Sequence, residues 1–192
     1  KGYYKNPDAT RETIVDGWLH TGDVGKIDSE GFLSITGRKK EIYVSSSGKN
    51  VAPLVIEETI KSIPIISQCF LVGDGRKYCS ALVTLDMGVI LRDKIGVEST
   101  EIPKDPVEQN QMIIGNGKSL SDFTDSKEMH AELSKEVDRL NQNFSNPEQI
   151  KKFSVLPRDF SIDEGELTPT LKIRRKQIND NWADTINKMY SE

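Results

Sequence analysis

Three polar motifs in this chain carry residue types that suit a nucleotide: Thr21-Gly22-Asp23, Gly37-Arg38-Lys39-Lys40 and Thr168-Pro169-Thr170-Leu171-Lys172. A carboxylate such as Asp23 can accept hydrogen bonds from both hydroxyls of a sugar diol. An arginine grips phosphate oxygens as a planar fork, and a lysine meets them as a mobile point charge. Each motif sets its charged side chain at the exposed end of an apolar strand or at a turn before a helix. Residue types alone fit three unrelated surface charges equally well. Taken singly, Asp23 reads first as a carboxylate capping its own turn. His20 and His130 read as surface or structural residues rather than bases. The acidic connector Asp159–Glu166 reads as solvated rather than metal-binding.

The elements that position these residues follow from pattern and punctuation. Asn6-Pro7-Asp8 opens a turn before a short helix, and Asp16-Gly17 and Ser29-Glu30-Gly31 are tight turns. The apolar runs near Trp18, Val24 and Phe32–Gly37 read as strands of a hairpin with a polar corner at Thr21-Gly22-Asp23. Residues 44–48 form a Ser/Gly loop, and Pro53 starts a helix running to Ser62. Strands are expected over residues 65–72 and 78–85, joined by the turn at Gly73–Lys77, with the second nearly all apolar and therefore central. Residues 86–126 are weakly patterned, with short helices expected near Gly88–Leu91 and Gly115–Lys118. Met129, Leu133, Val137 and Leu140 recur at helical spacing between Ser126 and Phe144. An edge strand closed by Pro157 follows, and Thr170 is the expected cap of a last helix through Trp182 towards Met189. The fold class is α+β, a central sheet flanked by helices.

Composition bounds the function. The 192 residues are 35% hydrophobic and 29% charged, with a net charge of −4. No apolar run approaches the roughly 20 residues that span a bilayer. The polar opening Lys1-Gly2-Tyr3-Tyr4 shows no signal peptide, and a first residue other than Met is expected of a fragment or processed product. Net negative charge argues against a nucleic-acid partner. Cys69 and Cys79 sit in apolar surroundings, as expected of reduced core thiols in a cytoplasmic protein, and neither has metal-ligand spacing.

Taken together, Trp18-Leu19-His20-Thr21-Gly22-Asp23, Gly37-Arg38-Lys39-Lys40-Glu41 and Gly48-Lys49-Asn50-Val51-Ala52-Pro53 resemble ordered motifs of the adenylate-forming enzyme superfamily, which comprises acyl-CoA synthetases, luciferases and peptide-synthetase adenylation domains. Gly165-Glu166-Leu167-Thr168-Pro169-Thr170-Leu171-Lys172 resembles its last motif. Within the superfamily the chain is most similar to long-chain fatty-acid–CoA ligases of the bubblegum type. The resemblance covers nearly the whole chain. It implies that residues 1–39 close a large N-terminal AMP-binding domain with a β-hairpin, and that residues 40–192 are the smaller C-terminal lid. The family's phosphate loop, adenine-binding segment and fatty-acid tunnel are absent from this sequence, so the resemblance implies a segment inactive by itself.

Residue by residue, the resemblance implies that Asp23 holds the ribose hydroxyls of ATP or the acyl-AMP. Arg38 contacts the same nucleotide, and Ile35 packs against it. Lys40 falls at the hinge about which the lid turns. Lys172 matches the lysine that reaches the carboxylate and α-phosphate during adenylation, and Ser46, Ser47 and Gly48 match a loop lining the CoA side. Two departures stand out: a longer, serine-rich loop at Val44–Ser47, and Leu171 where glycine commonly precedes the lysine. The implied substrates and cofactors are fatty acid, ATP, CoA and Mg2+, the metal held mainly by the large domain and by no residue here. Peripheral membrane association follows from the substrate class. Two other readings remain open from sequence: an adenylate-forming ligase for a medium-chain or aromatic acid, and a non-catalytic module using Lys172–Lys176 as a basic patch.

Overall fold

Asp16 and Gly17 both adopt positive φ, at 50° and 81°, which gives a two-residue hairpin turn the twist of its flanking strands. In this computed structural model, which describes residues 2–45 and 48–191, that turn joins β1 (Ile14–Val15) to β2 (Trp18–Leu19). Ahead of them α1 (Pro7–Thr13) starts on a proline, with the Asn6 side chain accepting from the Ala9 N–H at 3.0 Å. A second hairpin pairs β3 (Asp23–Ile27) with β4 (Leu33–Arg38). Its turn is closed by Asp28, whose side chain accepts from the N–H groups of Glu30 and Phe32 at 2.9 Å each. Thr21-Gly22-Asp23 is therefore a joint between two hairpins and not the corner of one. The reason is local: β2 is already paired with the strand behind it, which leaves β3 to pair with the strand ahead.

A short hairpin of β5 (Tyr43–Val44) and β6 (Asn50–Val51) leads into α2 (Pro53–Lys61). The main sheet has β8 (Cys79–Leu85) at its centre, antiparallel to β7 (Ile66–Val72) and parallel to β9 (Ile150–Val155). All of β8 is buried, as its apolar run predicts. Alternation along the strands divides the core. Cys69, Leu71, Ala81 and Val83 face a cluster with Ile56 and Ile60 of α2 and Met129, Leu133, Val137 and Leu140. Phe70, Val72 and Leu82 face the opposite cluster with Ile178, Ile186 and Met189. The expected sheet flanked by helices is what forms, and both cysteines are buried and unbridged.

The crossover from β8 to β9 carries α3 (Met87–Val89), a wider π-type turn (Ile90–Ile95), α4 (Pro106–Gly115), α5 (Ser121–Thr124) and α6 (Lys127–Asn141). The helix of α4 stands where sequence patterning expects only a short one near its end. Its start was marked: Asp105 accepts from the N–H groups of Val107 and Glu108, and Pro106 takes the first position. Its apolar stripe is weak because Val107 and Ile114 are exposed and only Ile113 is buried. The last helical run is two helices, α7 (Arg175–Asn181) and α8 (Ala183–Tyr190), broken at Trp182. Thr170 does not cap them, since α7 begins five residues later and the Thr170 hydroxyl instead meets that of Thr168 at 3.1 Å. The acidic connector before them is solvated at Asp163 and Glu164, which are exposed, but held at its two ends. Asp159 accepts from Ser67 and Thr84, and Glu166 is fully buried.

Candidate functional site

The register of β3 and β4 sets Asp23 directly across from Arg38. Their side chains form an ion pair, with Arg38 Nε 3.3 Å from Asp23 Oδ1. The Asp23 N–H donates to the Thr21 hydroxyl at 3.1 Å, and the Lys39 N–H closes the strand end on the Gly22 carbonyl at 2.8 Å. A register shift between Val24 and Gly25 puts the strands in close approach, where a Cβ on Gly25 would lie 2.8 Å from the Ser34 carbonyl oxygen. Glycine is required there. Ile35 lies opposite Gly25 and is exposed.

Lys172 ends a tight loop whose stem is a bridge between Leu167 and Ile173. The loop is closed by the Thr168 N–H on the Lys172 carbonyl (2.8 Å), the Lys172 N–H on the Thr168 hydroxyl (3.0 Å) and the Leu171 N–H on the Thr168 carbonyl (2.8 Å). Leu171 takes φ 59° to make the turn, a left-handed conformation that glycine adopts without strain. The departure from glycine noted in the sequence thus falls at a position whose backbone favours it. Lys172 is exposed, and its ammonium makes no ion pair among the described residues.

Arg38 and Lys172 line one cleft of about 570 Å³. Its wall is the pair Arg175–Glu57, bidentate at 2.9 and 2.8 Å, with Glu57 also accepting from the Leu71 N–H at 2.8 Å. Arg175 further reaches Glu41 at 3.4 Å and lies 5.2 Å from the centre of the Phe70 ring. Burial disfavours the Arg175 cation, but its bonds to Glu57 and the charge of Glu41 outweigh this and raise its pKa above the ordinary value. Asp23 and Ile35 belong to the hairpin beside the cleft and are not among its lining residues.

Lys40 lies elsewhere. It sits in the turn after β4, where the N–H groups of Glu41 and Ile42 donate to the Arg38 carbonyl at 2.9 and 3.1 Å. It lines a second cleft of about 640 Å³ with Tyr43, Gly73, Arg76 and Asn187. Arg175 borders both clefts. Gly48, with φ 77°, turns the β5–β6 hairpin by donating its N–H to the Ser45 carbonyl at 2.8 Å and lines neither cleft. Ser46 and Ser47 lie outside the described residues. Among the described residues no group of three or more His, Cys, Asp or Glu side chains could hold a metal ion.

Sequence reasoning passed over Arg175, Glu57 and Glu166. Arg175 is hidden in the basic run Arg174-Arg175-Lys176, yet it continues by one turn the buried stripe of Ile178, Trp182, Ile186 and Met189. That spacing was the available signal. Glu57 sits between Ile56 and Ile60 on the buried side of α2 and gave none beyond helical phase.

The sheet with helices on both faces, and a polar loop and an arginine meeting on one cleft, make a small α+β domain with a charged groove. The chain belongs to the AMP-binding enzyme C-terminal domain family, which it matches over residues 40–100 and 106–192. It is 41% identical over 191 residues to the long-chain-fatty-acid–CoA ligase FadD15 of Mycobacterium tuberculosis, covering all of this chain and 29% of that protein. It is 38% identical over 196 residues to the long-chain-fatty-acid–CoA ligase ACSBG1 of Rattus norvegicus, again over its whole length and 27% of the relative. The chain thus spans less than a third of the curated relatives it matches. Its fold is shared with the adenylation domain of a carboxylate reductase from Mycobacterium chelonae, at a TM-score of 0.68 and 19% identity over 100% of this chain and 26% of that one. The adenylation domain of a carboxylic acid reductase from Segniliparus rugosus, in complex with AMP and a co-purified carboxylic acid, superposes at 0.66 and 20% identity over 98% of this chain and 26% of that one.

Proposed function

We propose that this chain is the C-terminal part of an AMP-forming long-chain acyl-CoA ligase. In this reading residues 1–39 complete the large nucleotide-binding domain and residues 40–192 form the lid. The observation that carries it is the meeting of Arg38 and Lys172, from motifs far apart in sequence, on one cleft, with Asp23 ion-paired to Arg38 at its edge. Relatives at 41% and 38% identity, both named long-chain-fatty-acid–CoA ligases, support the acid class. Exposed Trp18, Leu19, Phe32 and Leu33, with Trp18 at 76%, support a first segment that packs against further chain.

The side chains fit the chemistry. In the first step a carboxylate oxygen attacks the α-phosphorus of ATP and pyrophosphate leaves. Lys172, exposed on its loop, supplies positive charge to the oxygens of the transition state and so stabilises it more than the ground state. Asp23 accepts from the ribose hydroxyls, and Arg38 moves between Asp23 and the nucleotide. In the second step the CoA thiol attacks the acyl carbonyl and AMP leaves. Lys172 has no work there, and a turn of the lid about Lys40 withdraws it and brings the hairpin turn at Gly48 to the CoA side. Mg2+ would supply charge neutralisation on the phosphates and finds no ligand cluster among the described residues. No helix among the described residues is long and apolar enough to cross a membrane. Peripheral attachment to the cytoplasmic side of membranes is proposed from the substrate alone, and the segment by itself is proposed to be inactive.

The test uses the full-length protein with oleate, ATP and CoA. Formation of oleoyl-CoA with AMP and pyrophosphate, and a raised KM for ATP in Asp23→Ala, are expected. Release of ADP, or no thioester from any fatty acid, contradicts the reading.

A further inference from the structure

Glu166 has no exposed surface, and donors from four residues converge on its carboxylate. Arg158 grips it as a fork at 2.6 and 3.0 Å, Trp182 Nε1 donates at 2.8 Å, Asn181 at 3.1 Å and the Ser161 N–H at 3.1 Å. The Arg158 guanidinium also lies 5.1 Å from the Trp182 ring centre. The backbone of the same residue is equally committed: its carbonyl accepts from the Arg174 N–H at 2.8 Å and its N–H donates to the Ser161 carbonyl at 3.0 Å. The next residue, Leu167, makes the bridge to Ile173 that forms the stem of the Lys172 loop.

At the stem, Leu167 is also buried against Phe70, Leu82 and Ile178, and its N–H donates to the Ser161 carbonyl at 3.0 Å; beyond the stem the loop has few other ties. Its hydrogen bonds from Thr168 to Lys172 are internal, Leu171 is 70% exposed, and Lys172 itself reaches into the cleft unpaired. Its aim relative to the sheet is therefore set at the stem, where Leu167 packs into the core and the Glu166 side chain adds the directional tie of residue 166 to the joint between α7 and α8. A buried charge is an expensive way to fill space, since an apolar group of the same volume commonly serves stability as well or better. Directional bonds from four residues fix an orientation that apolar packing does not.

We infer that Glu166 is the positioning residue of Lys172, its buried carboxylate clamping the loop stem against the α7–α8 joint so that the ammonium points into the cleft. The inference rests on the adenylation role proposed above for Lys172. Adenylation needs the ammonium within a narrow range of positions, whereas CoA transfer does not use it. Loss of the clamp should therefore separate the two half-reactions, which a general loss of folding does not.

In the full-length protein, Glu166→Gln is compared with wild type and Lys172→Ala in oleate-dependent pyrophosphate exchange and in CoA transfer from supplied oleoyl-AMP. Glutamine keeps one acceptor oxygen and turns an amide towards Arg158 and the Ser161 N–H. Exchange is expected to fall about tenfold to a hundredfold, the scale of a misplacement near 1 Å, with CoA transfer held within about twofold. Unchanged exchange in Glu166→Gln beside a collapse in Lys172→Ala overturns the inference and leaves the reading of Lys172 standing. Equal falls in both half-reactions overturn it as well, because Glu166 then supports only the fold. Exchange that survives Lys172→Ala overturns both. Should Glu166→Gln fail to accumulate as folded protein, Arg158→Lys, which keeps the charge and loses the fork, is expected to show the same split at smaller size, and no split overturns the inference.

Discussion

Replacing Arg175 by methionine removes one half of an ion pair that the fold has buried. The Glu57 side chain is 5% exposed and that of Arg175 24%. Breaking a buried pair costs about 3–5 kcal/mol, because the remaining charge is left without a partner. Partial exposure of Arg175 places the expectation at the low end, near 3 kcal/mol. For a chain of this size that is a fall in Tm of roughly 6–12 °C. Glu57→Met leaves Arg175 only the longer contact to Glu41 and orphans the Leu71 N–H, so its cost is similar or slightly larger. The double variant Glu57→Met with Arg175→Met removes both charges and retains only the orphaned Leu71 N–H, a loss of about 1–2 kcal/mol. Urea unfolding of the four proteins gives the coupling energy, expected to exceed about 2 kcal/mol. Glu41→Gln, at a more exposed carboxylate 3.4 Å away, should cost under about 1 kcal/mol. Additive single losses, with coupling below about 0.5 kcal/mol, refute the picture of Arg175 and Glu57 as one buried unit.

Gly25→Ala should strain the β3–β4 hairpin, because its Cβ meets the Ser34 carbonyl oxygen at 2.8 Å; a raised KM for ATP with little change in CoA transfer checks this. Leu171→Gly should leave loop stability near that of wild type, whereas Leu171→Val should lower it by about 1–2 kcal/mol, since a β-branched residue resists the left-handed turn. Urea midpoints of the two variants decide it. Burial alone would raise the Glu166 pKa, but the bonds from Arg158, Asn181, Ser161 and Trp182 hold it below the ordinary value. Its contribution to stability is therefore present above the unfolded value of about 4.3 and lost as pH falls through the lower folded one. Acid unfolding of Glu166→Gln should start from lower stability at neutral pH and show a shallower acid limb than wild type.

Sequence patterning read the sheet and its flanking helices well, because β8 is an unbroken apolar run and α6 carries an even helical stripe. It misread the start of the chain because two hairpins share one polar joint, and the alternation on either side of Thr21–Asp23 does not say which strand pairs with which. It expected too little of α4, whose stripe is weak enough that only its cap and proline mark it. The motifs of Asp23, Arg38 and Lys172 stood out in sequence as charges at strand ends and turns, and the structure sets Arg38 and Lys172 on one cleft with Asp23 beside it. The charged groups behind the cleft were not legible, because Glu57 and Glu166 are buried and Arg175 is half-buried, and charge in sequence reads as surface until its partners are known. Glu166 lay at the end of a connector rich in acids, with Arg158 eight residues before it as an unread counter-charge.

The account turns on Lys172 and the cleft it shares with Arg38. The measurement that bears on it most directly takes the full-length protein with Lys172→Ala through each half-reaction separately, using oleate and pyrophosphate for the first and preformed oleoyl-AMP with CoA for the second. Exchange reduced by about 10² to 10³ with CoA transfer retained is the predicted result. Exchange that persists in Lys172→Ala contradicts the account, for the lysine brought into the cleft would then have no part in adenylation.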